Sequence, residues 1–151
     1  MEILGLAIVV VLILVATTFV VRFLMLKTPA EHRQEFISSE TAANMLNTFL
    51  NTAADKCSQL TMTELLQDCA QSKTIVCDNN EDSCTFVKNT ANTIFKQTLN
   101  KWNMKYQFLA YTNINKPIIK IGEVCKADAR SKTFYLPIST ATVYVRLDIC
   151  N

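Results

Sequence analysis

A charge-free run near the N-terminus constrains this chain more than any other feature of its sequence. The 19 positions from Ile3 to Val21 contain no Asp, Glu, Lys or Arg. At a helical rise of about 1.5 Å per residue the run extends for about 29 Å, which matches the hydrocarbon core of a bilayer. Because a buried helix of a soluble protein is rarely apolar on every side, the run predicts a membrane-spanning helix.

The residues that flank this run favour a retained anchor over a cleaved signal peptide. A signal peptide has a basic start, a shorter apolar core and a small-x-small cleavage site. Here Met1-Glu2 is not basic, and Ala16-Thr17-Thr18 is followed by more apolar residues. Arg22 and Lys27 follow the run, where long basic side chains reach the membrane surface. We therefore expect residues 1–27 to form a hydrophobic anchor helix in contact with membrane lipid.

The basic residues and the cysteines favour opposite sides of the membrane for the rest of the chain. Arg22, Lys27 and Arg33 follow the anchor, and flanking positive charge favours the cytoplasm. The cysteines form an even set without a C-x-x-C pair, which indicates disulfides and an oxidising compartment. We give the cysteines more weight, because charge counts are weak for short N-terminal segments, and expect an extracytoplasmic domain. The cysteines are Cys57, Cys69, Cys77, Cys84, Cys125 and Cys150.

Disulfides are also expected because the globular part of the chain, residues 57–151, is small and buries only a modest apolar core. Six cysteines allow several pairings. We favour the sequential one, in which each bond closes a short loop and stabilises the domain by about 3 kcal/mol. The expected pairs are Cys57 with Cys69, Cys77 with Cys84, and Cys125 with Cys150.

A long helix is predicted directly after the anchor. Thr28 is its N-cap, Pro29 occupies the first helical position and Glu31 completes a capping box. Apolar residues then recur near 3.6-residue spacing to about Asp55. We interpret residues 28–56 as a stalk that continues the anchor and contributes little to a core.

Two shorter helices follow in the predicted globular domain. Thr61 and Glu64 form a capping box before the helix from Met62 to Gln71. The polar pair Asp82-Ser83 supplies cap candidates for a helix from Cys84 to Trp102. One apolar stripe of this helix is predicted to face the core: Val87, Ala91, Ile94, Phe95, Leu99 and Trp102.

From Met104 onward the apolar residues alternate with polar ones, which predicts β-strands. Four antiparallel strands in a meander are the simplest interpretation. Pro117 and Pro137 then indicate strand starts, edges or bulges, because proline cannot donate a hydrogen bond to a neighbouring strand. The predicted fold class is α+β: an N-terminal transmembrane or filament-core helix that continues into a long helix, two further helices, and a four-stranded antiparallel meander.

Composition excludes several classes of function. Only two glycines are present, Gly5 and Gly122, and they are far apart, so no phosphate-binding loop exists. His32 is the single histidine, which leaves no imidazole pair for a metalloprotease. Fifteen basic residues against 13 acidic ones give a net charge of +2, without the excess that nucleic-acid binding requires. We expect no catalytic residue, no cofactor and no nucleic-acid partner.

One acidic segment partly matches the beginning of a calcium-binding loop. Asp78, Asn80 and Asp82 alternate, as oxygen ligands do in such loops. Ser83 then stands where the loop requires glycine, and Asn89 where it requires a bidentate Glu. A polar loop closed by a disulfide is the favoured interpretation, and we expect no metal site.

The order of these parts resembles that of type IV pilins and their archaeal relatives. The resemblance rests on the apolar segment Met1 to Leu26, the helix from Pro29, the strands from Met104, and Cys125 with Cys150. In that family the apolar helices bundle in a filament core and the globular parts face outward. The resemblance therefore implies self-association into a homo-oligomer or extracellular filament.

Two N-terminal residues depart from the pilin pattern, and both are candidate assembly residues. Pilins usually carry a basic leader that ends in Gly or Ala, and a Glu at the fifth mature position. Here Gly5 occupies that position and the acid is Glu2. Glu2 is a hypothetical partner for a neighbouring subunit's terminal amine, or else a carboxylate at headgroup level. Gly5 would allow another helix to approach closely.

The sequence thus predicts a single-span structural protein of the cell surface, a pilin-like filament subunit whose apolar N-terminal helix packs in a membrane or filament core. The alternative is a monomeric, membrane-anchored extracellular binding module. Such a module would hold its partner through the sheet or through the segment between Cys77 and Cys84.

The cysteine count generates a prediction about redox state. Freshly isolated, unreduced protein should contain no alkylatable thiol, and reduction should lower its free energy of unfolding by several kcal/mol. Mass analysis after alkylation measures the first, and urea unfolding with and without reductant measures the second. Six alkylated thiols in the native protein would instead support a cytoplasmic domain.

Overall fold

A computed structural model describes the backbone of residues 2–26, 29–125 and 129–150, and the side chains of residues 5, 7–23, 37–78, 80–125 and 129–150. The chain divides into two compact units, Met1–Ile37 and Ser38–Asn151.

The first unit contains α1 (Glu2–Leu26) and the beginning of α2 (Pro29–Asn51). Within the described residues, no helix combines the length and the apolar character that crossing a membrane requires. The predicted transmembrane or filament-core helix that runs on into a long helix is therefore wrong. The second helix begins at Pro29, as expected for a residue that lacks an N–H and disfavours helical geometry in the residue before it. The predicted N-cap, Thr28, lies outside the described residues.

The second half of α2 belongs to the core of the second unit. Ala42, Leu46, Phe49 and Leu50 are each at most 3% exposed, and their spacing places them on one helical face. The expectation that this helix adds little to the core is wrong. The helix ends at Asn51 rather than near Asp55, because the chain then forms the short strand β1 (Ala53–Ala54), which pairs with β2 (Leu60–Thr61).

Helix α3 (Met62–Gln71) has the predicted bounds and the predicted capping box. The Thr61 N–H donates to the Glu64 carboxylate at 2.7 Å, and the Glu64 N–H donates to the Thr61 hydroxyl at 3.3 Å. Hydrogen bonds from the backbone and hydroxyl of Thr61 lower the pKa of Glu64. After β3 (Val76–Cys77), a short 3₁₀ turn (Asp78–Asn80) and β4 (Glu81–Asp82), the chain enters α4 (Ser83–Thr98).

Helix α4 ends four residues earlier than predicted, and this changes the environment of Trp102. Residues 99–103 form turns, so the helical spacing does not continue to Trp102. Its side chain is 57% exposed, and the prediction that it lies in the core is wrong. Val87, Ala91, Phe95 and Leu99 are buried as predicted, and Ile94 is half-buried.

The main sheet contains β5 (Lys105–Tyr111), β6 (Ile119–Gly122), β7 (Ala129–Pro137) and β8 (Thr142–Cys150), all antiparallel, in the order β6-β5-β8-β7. The predicted meander is wrong, because β5 pairs with β8. The positions of the two prolines agree with this strand order. Pro117 precedes β6 and Pro137 ends β7, and these are the two edge strands, where a missing N–H costs least.

Buried side chains on the inner face include Tyr106, Phe108, Ala110, Ile119, Ile121, Leu136, Val143, Val145, Leu147 and Ile149.

Three disulfides join Cys57 to Cys77, Cys69 to Cys84, and Cys125 to Cys150. The sequential prediction is right for the last pair and wrong for the other two. It fails because α3 packs against α4, which brings Cys69 to the first turn of α4. Chain segments of 20, 15 and 25 residues are closed, so each bond contributes about 3 kcal/mol by loop-closure entropy. Three disulfides are typical of a protein in an oxidising extracellular environment.

Asp68 lies buried beside the disulfide between α3 and α4, where its carboxylate organises the turn after α3. Ser83 donates to it at 2.6 Å, Thr74 donates through its hydroxyl at 2.8 Å and its N–H at 3.0 Å, and the Ile75 N–H donates at 3.1 Å. Burial raises the pKa of Asp68, but these hydrogen bonds outweigh it and lower the pKa to about 2. The carboxylate therefore stabilises the fold in its ionised form.

Replacing Asp68 with Asn should lower the free energy of unfolding by about 2 kcal/mol at pH 7, since the pKa is about 2 in the folded protein and about 3.8 in the unfolded chain. The native protein should keep this stabilisation above about pH 4 and lose it as the pH falls towards 2. Urea unfolding at both pH values measures the effect, with Asp55→Asn, on an exposed residue, as the control. An equal difference between the native protein and the Asp68→Asn variant at pH 7 and pH 2 would contradict this role.

Candidate assembly surfaces

The described side chains of α1 present an exposed apolar surface. Large apolar residues on every side of this helix are between 46% and 72% exposed. Soluble monomers rarely expose so long an apolar surface, and such surfaces mark sites of interaction. We call the following set the α1 surface: Ile8, Val9, Val10, Val11, Leu12, Ile13, Leu14, Val15, Phe19, Val20, Val21 and Phe23.

Two threonines lie between members of the α1 surface in the sequence, and the hydroxyls of both are hydrogen-bonded within the helix. The Thr17 hydroxyl donates to the Leu14 carbonyl at 3.0 Å, and the Thr18 hydroxyl donates to the Leu14 and Val15 carbonyls at 3.0 and 2.8 Å. Each hydroxyl is therefore satisfied within its own helix. The two side chains can enter an apolar environment without leaving an unpaired donor.

Of the two candidate assembly residues, the structure describes the surroundings of Gly5 but not the side chain of Glu2. Gly5 is exposed, and a Cβ added there would meet no atom within 4 Å. Nothing inside the described chain requires glycine at this position. The side chain of Glu2 lies outside the described residues. The structure therefore leaves the roles of both residues as predictions.

A groove of about 450 Å³ lies between α2 and α4 on the second unit. None of its lining residues carries a charge. The Thr52 hydroxyl donates to the Thr48 carbonyl at 2.8 Å and the Thr98 hydroxyl to the Ile94 carbonyl at 2.7 Å, so these threonines also leave no unpaired donor. We call this the α2–α4 groove, and it is lined by Thr41, Asn44, Met45, Thr48, Phe49, Thr52, Ile94, Thr98 and Trp102.

Three tyrosines form a cluster on the outer face of the sheet. Tyr111, Tyr144 and Tyr135 occupy one row across β5, β8 and β7. The Tyr111 and Tyr144 rings stack with centroids 5.4 Å apart, and Tyr135 meets Tyr144 edge to face at 5.4 Å. Beside them, Arg146 Nε donates to Asp148 at 2.6 Å, and this hydrogen bond raises the pKa of Arg146.

The acidic segment that resembled a calcium loop serves a different purpose. The Asp82 carboxylate accepts hydrogen bonds from the Cys84 and Thr85 N–H groups at 3.0 and 3.1 Å, and from the Thr85 hydroxyl at 2.6 Å. It therefore caps α4, and these bonds lower its pKa, the Thr85 hydroxyl contributing most. Among the described side chains, no three His, Cys, Asp or Glu residues are grouped so that they could hold a metal ion.

The sequence indicates some of these features and not others. The charge-free run located the apolar residues of α1, although the membrane-spanning helix predicted from it is wrong. The even cysteine count indicated disulfides. The α2–α4 groove was missed because its walls come from helices far apart in sequence. A usable signal was the series Thr41, Thr48, Thr52 on the α2 side, where a solvated face would carry charges.

No protein-family profile, curated protein or solved structure matches this chain. The resemblance to type IV pilins stays a prediction.

The capping role of Asp82 generates a prediction. Asp82→Ala should lower the midpoint of thermal unfolding, because it removes the acceptor for the first N–H groups of α4, whereas Asp82→Asn, which keeps an acceptor oxygen, should lower it less. Calcium should leave the midpoint of the native protein unchanged. A calcium-dependent rise that Asp82→Asn abolishes would instead show a metal site.

Proposed function

We propose that this chain is a structural subunit that assembles with identical copies in an extracellular, pilin-like filament. The observation that carries the proposal is the α1 surface. It consists of twelve large apolar side chains, most of which are more than half exposed. Burying apolar area stabilises an assembly by roughly 25 cal/mol per Å². A surface of this extent therefore provides a large driving force for association.

The second unit supports the proposal by the way in which it is stabilised. Its three disulfides suit a domain that remains folded outside the cell without cytoplasmic chaperones. Among its described side chains, no three His, Cys, Asp or Glu residues are grouped so that they could hold a metal ion. A rigid, cross-linked domain carried by an apolar helix suits a structural role.

A binding module is the second candidate function, and the tyrosine cluster favours it. Tyrosine and arginine are enriched at sites that contribute strongly to protein binding. Tyr135 is 66% exposed, and Arg146 lies on the same outer face of the sheet. In this case the isolated protein would stay monomeric, and its partner would bind at Tyr111, Tyr135 and Tyr144.

The two functions differ in the effect of a charge on the α1 surface. On dilution from detergent, the native protein should form fibres of regular width in electron micrographs and sediment with them. Leu12→Arg should remain in the supernatant, because an unpaired charge cannot be buried in an apolar interface. The matched control is Ile114→Arg, which makes the same change at a residue 54% exposed in the turn between β5 and β6. The control should assemble like the native protein.

Other outcomes contradict the filament proposal. Native protein that stays monomeric, or that forms only irregular aggregates, would overturn it and favour the binding module. Loss of assembly in both Arg variants would contradict the role of the α1 surface, because it would show that added charge at any position prevents association.

A further inference from the structure

We infer that the α2–α4 groove of one copy is the acceptor for the α1 surface of a second copy. This inference rests on the proposed function, because it names the partner surface through which the subunits would assemble. It follows from a match between two features of the same chain in length, in polarity and in charge.

The lengths match. On the α2 side, the groove is lined from Thr41 to Thr52. At a helical rise of about 1.5 Å per residue, this wall is about 16 Å long. On α1, Ile8, Leu12, Val15 and Phe19 recur at spacings of four, three and four, so they form one row of about the same length. A row of this kind fits between the ridges of two neighbouring helices.

The volume of the groove suits a row of side chains. A cavity of roughly 150 Å³ holds one benzene-sized group. At about 450 Å³, the groove has room for about three such groups along its length. Its open side exposes Trp102, a residue type that commonly anchors protein interfaces.

The polarity and the charge also match. The groove lining has no charged residue, although 19% of the chain is charged, and α1 has none from Ile3 to Val21. Four of the hydroxyls on these surfaces already donate to backbone carbonyls of the same helix: Thr17 and Thr18 on α1, and Thr52 and Thr98 at the groove. Joining the two surfaces therefore leaves none of these donors unpaired.

The two surfaces are different parts of the chain, so their contact is heterologous. Each copy would offer α1 to the next copy and accept α1 from the previous one. A heterologous contact that does not close into a ring continues as an open filament. The inferred contact is therefore directional, from α1 of one copy to the groove of the next.

A mixing experiment with two complementary variants tests this inference. Thr48→Arg places a charge in the groove and leaves α1 intact, whereas Leu12→Arg places a charge on α1 and leaves the groove intact. Thr48 is exposed, so its replacement should not disturb the core, and circular dichroism and thiol analysis verify folding. The matched control is Asn47→Arg, on the exposed neighbour that does not line the groove.

Each variant alone should lose the sedimentable assembly at least about tenfold, since an unpaired buried charge is strongly unfavourable at an interface. Mixed in equal amounts, they should form dimers of twice the monomer mass, because the intact α1 of one variant enters the intact groove of the other and both remaining sites are blocked. Analytical ultracentrifugation measures the masses. Asn47→Arg should assemble like the native protein.

Two results would overturn the inference while leaving the proposed function in place. One is normal assembly of Thr48→Arg together with failure of Leu12→Arg, which would show that α1 binds elsewhere, for instance to other α1 helices. The other is the absence of dimers in the mixture. Failure of the native protein to assemble would overturn both the inference and the proposed function.

Discussion

Contact between three phenylalanines determines how the second unit is built. Phe49 from α2, Phe95 from α4 and Phe108 from β5 have ring centroids 5.3 to 5.6 Å apart. All three are at most 2% exposed, and Tyr106 extends the cluster at 5.7 Å from Phe95. Aromatic rings at these distances gain about 0.5 to 1.5 kcal/mol per pair beyond the burial of their area. The cluster fixes both helices against the inner face of the sheet.

The α2–α4 groove shares a residue with this cluster. The Phe49 and Phe95 rings are in contact between α2 and α4, and the groove lies between the same two helices. Phe49 contributes to both features, since it lies in the core and also forms part of the groove floor. The shape of the groove is therefore maintained by the same packing that stabilises the domain.

The contact between α3 and α4 is stabilised differently, by a covalent bond and a buried carboxylate side by side. Cys69 and Asp68 are consecutive on α3, and their partners Cys84 and Ser83 are consecutive at the start of α4. The disulfide limits the freedom of the unfolded chain, and the carboxylate satisfies the N–H and hydroxyl groups of the turn between the helices. A small domain gains from both because its apolar core alone is limited.

Local features of the fold could be read from the sequence, because each depends on residues close together in the chain. The capping box of Thr61 and Glu64 located α3, the alternation from Val143 to Ile149 located β8, and the even cysteine count indicated disulfides. Only the tertiary structure decided the strand order, the partners of Cys57, Cys69, Cys77 and Cys84, the burial of α2 and the exposure of Trp102. These depend on which faces meet across long stretches of chain. The prolines before β6 and at the end of β7 did indicate edge strands. Only the pairing of β5 with β8 decides the topology, because it places these two strands in the centre of the sheet, each with a neighbour on both sides.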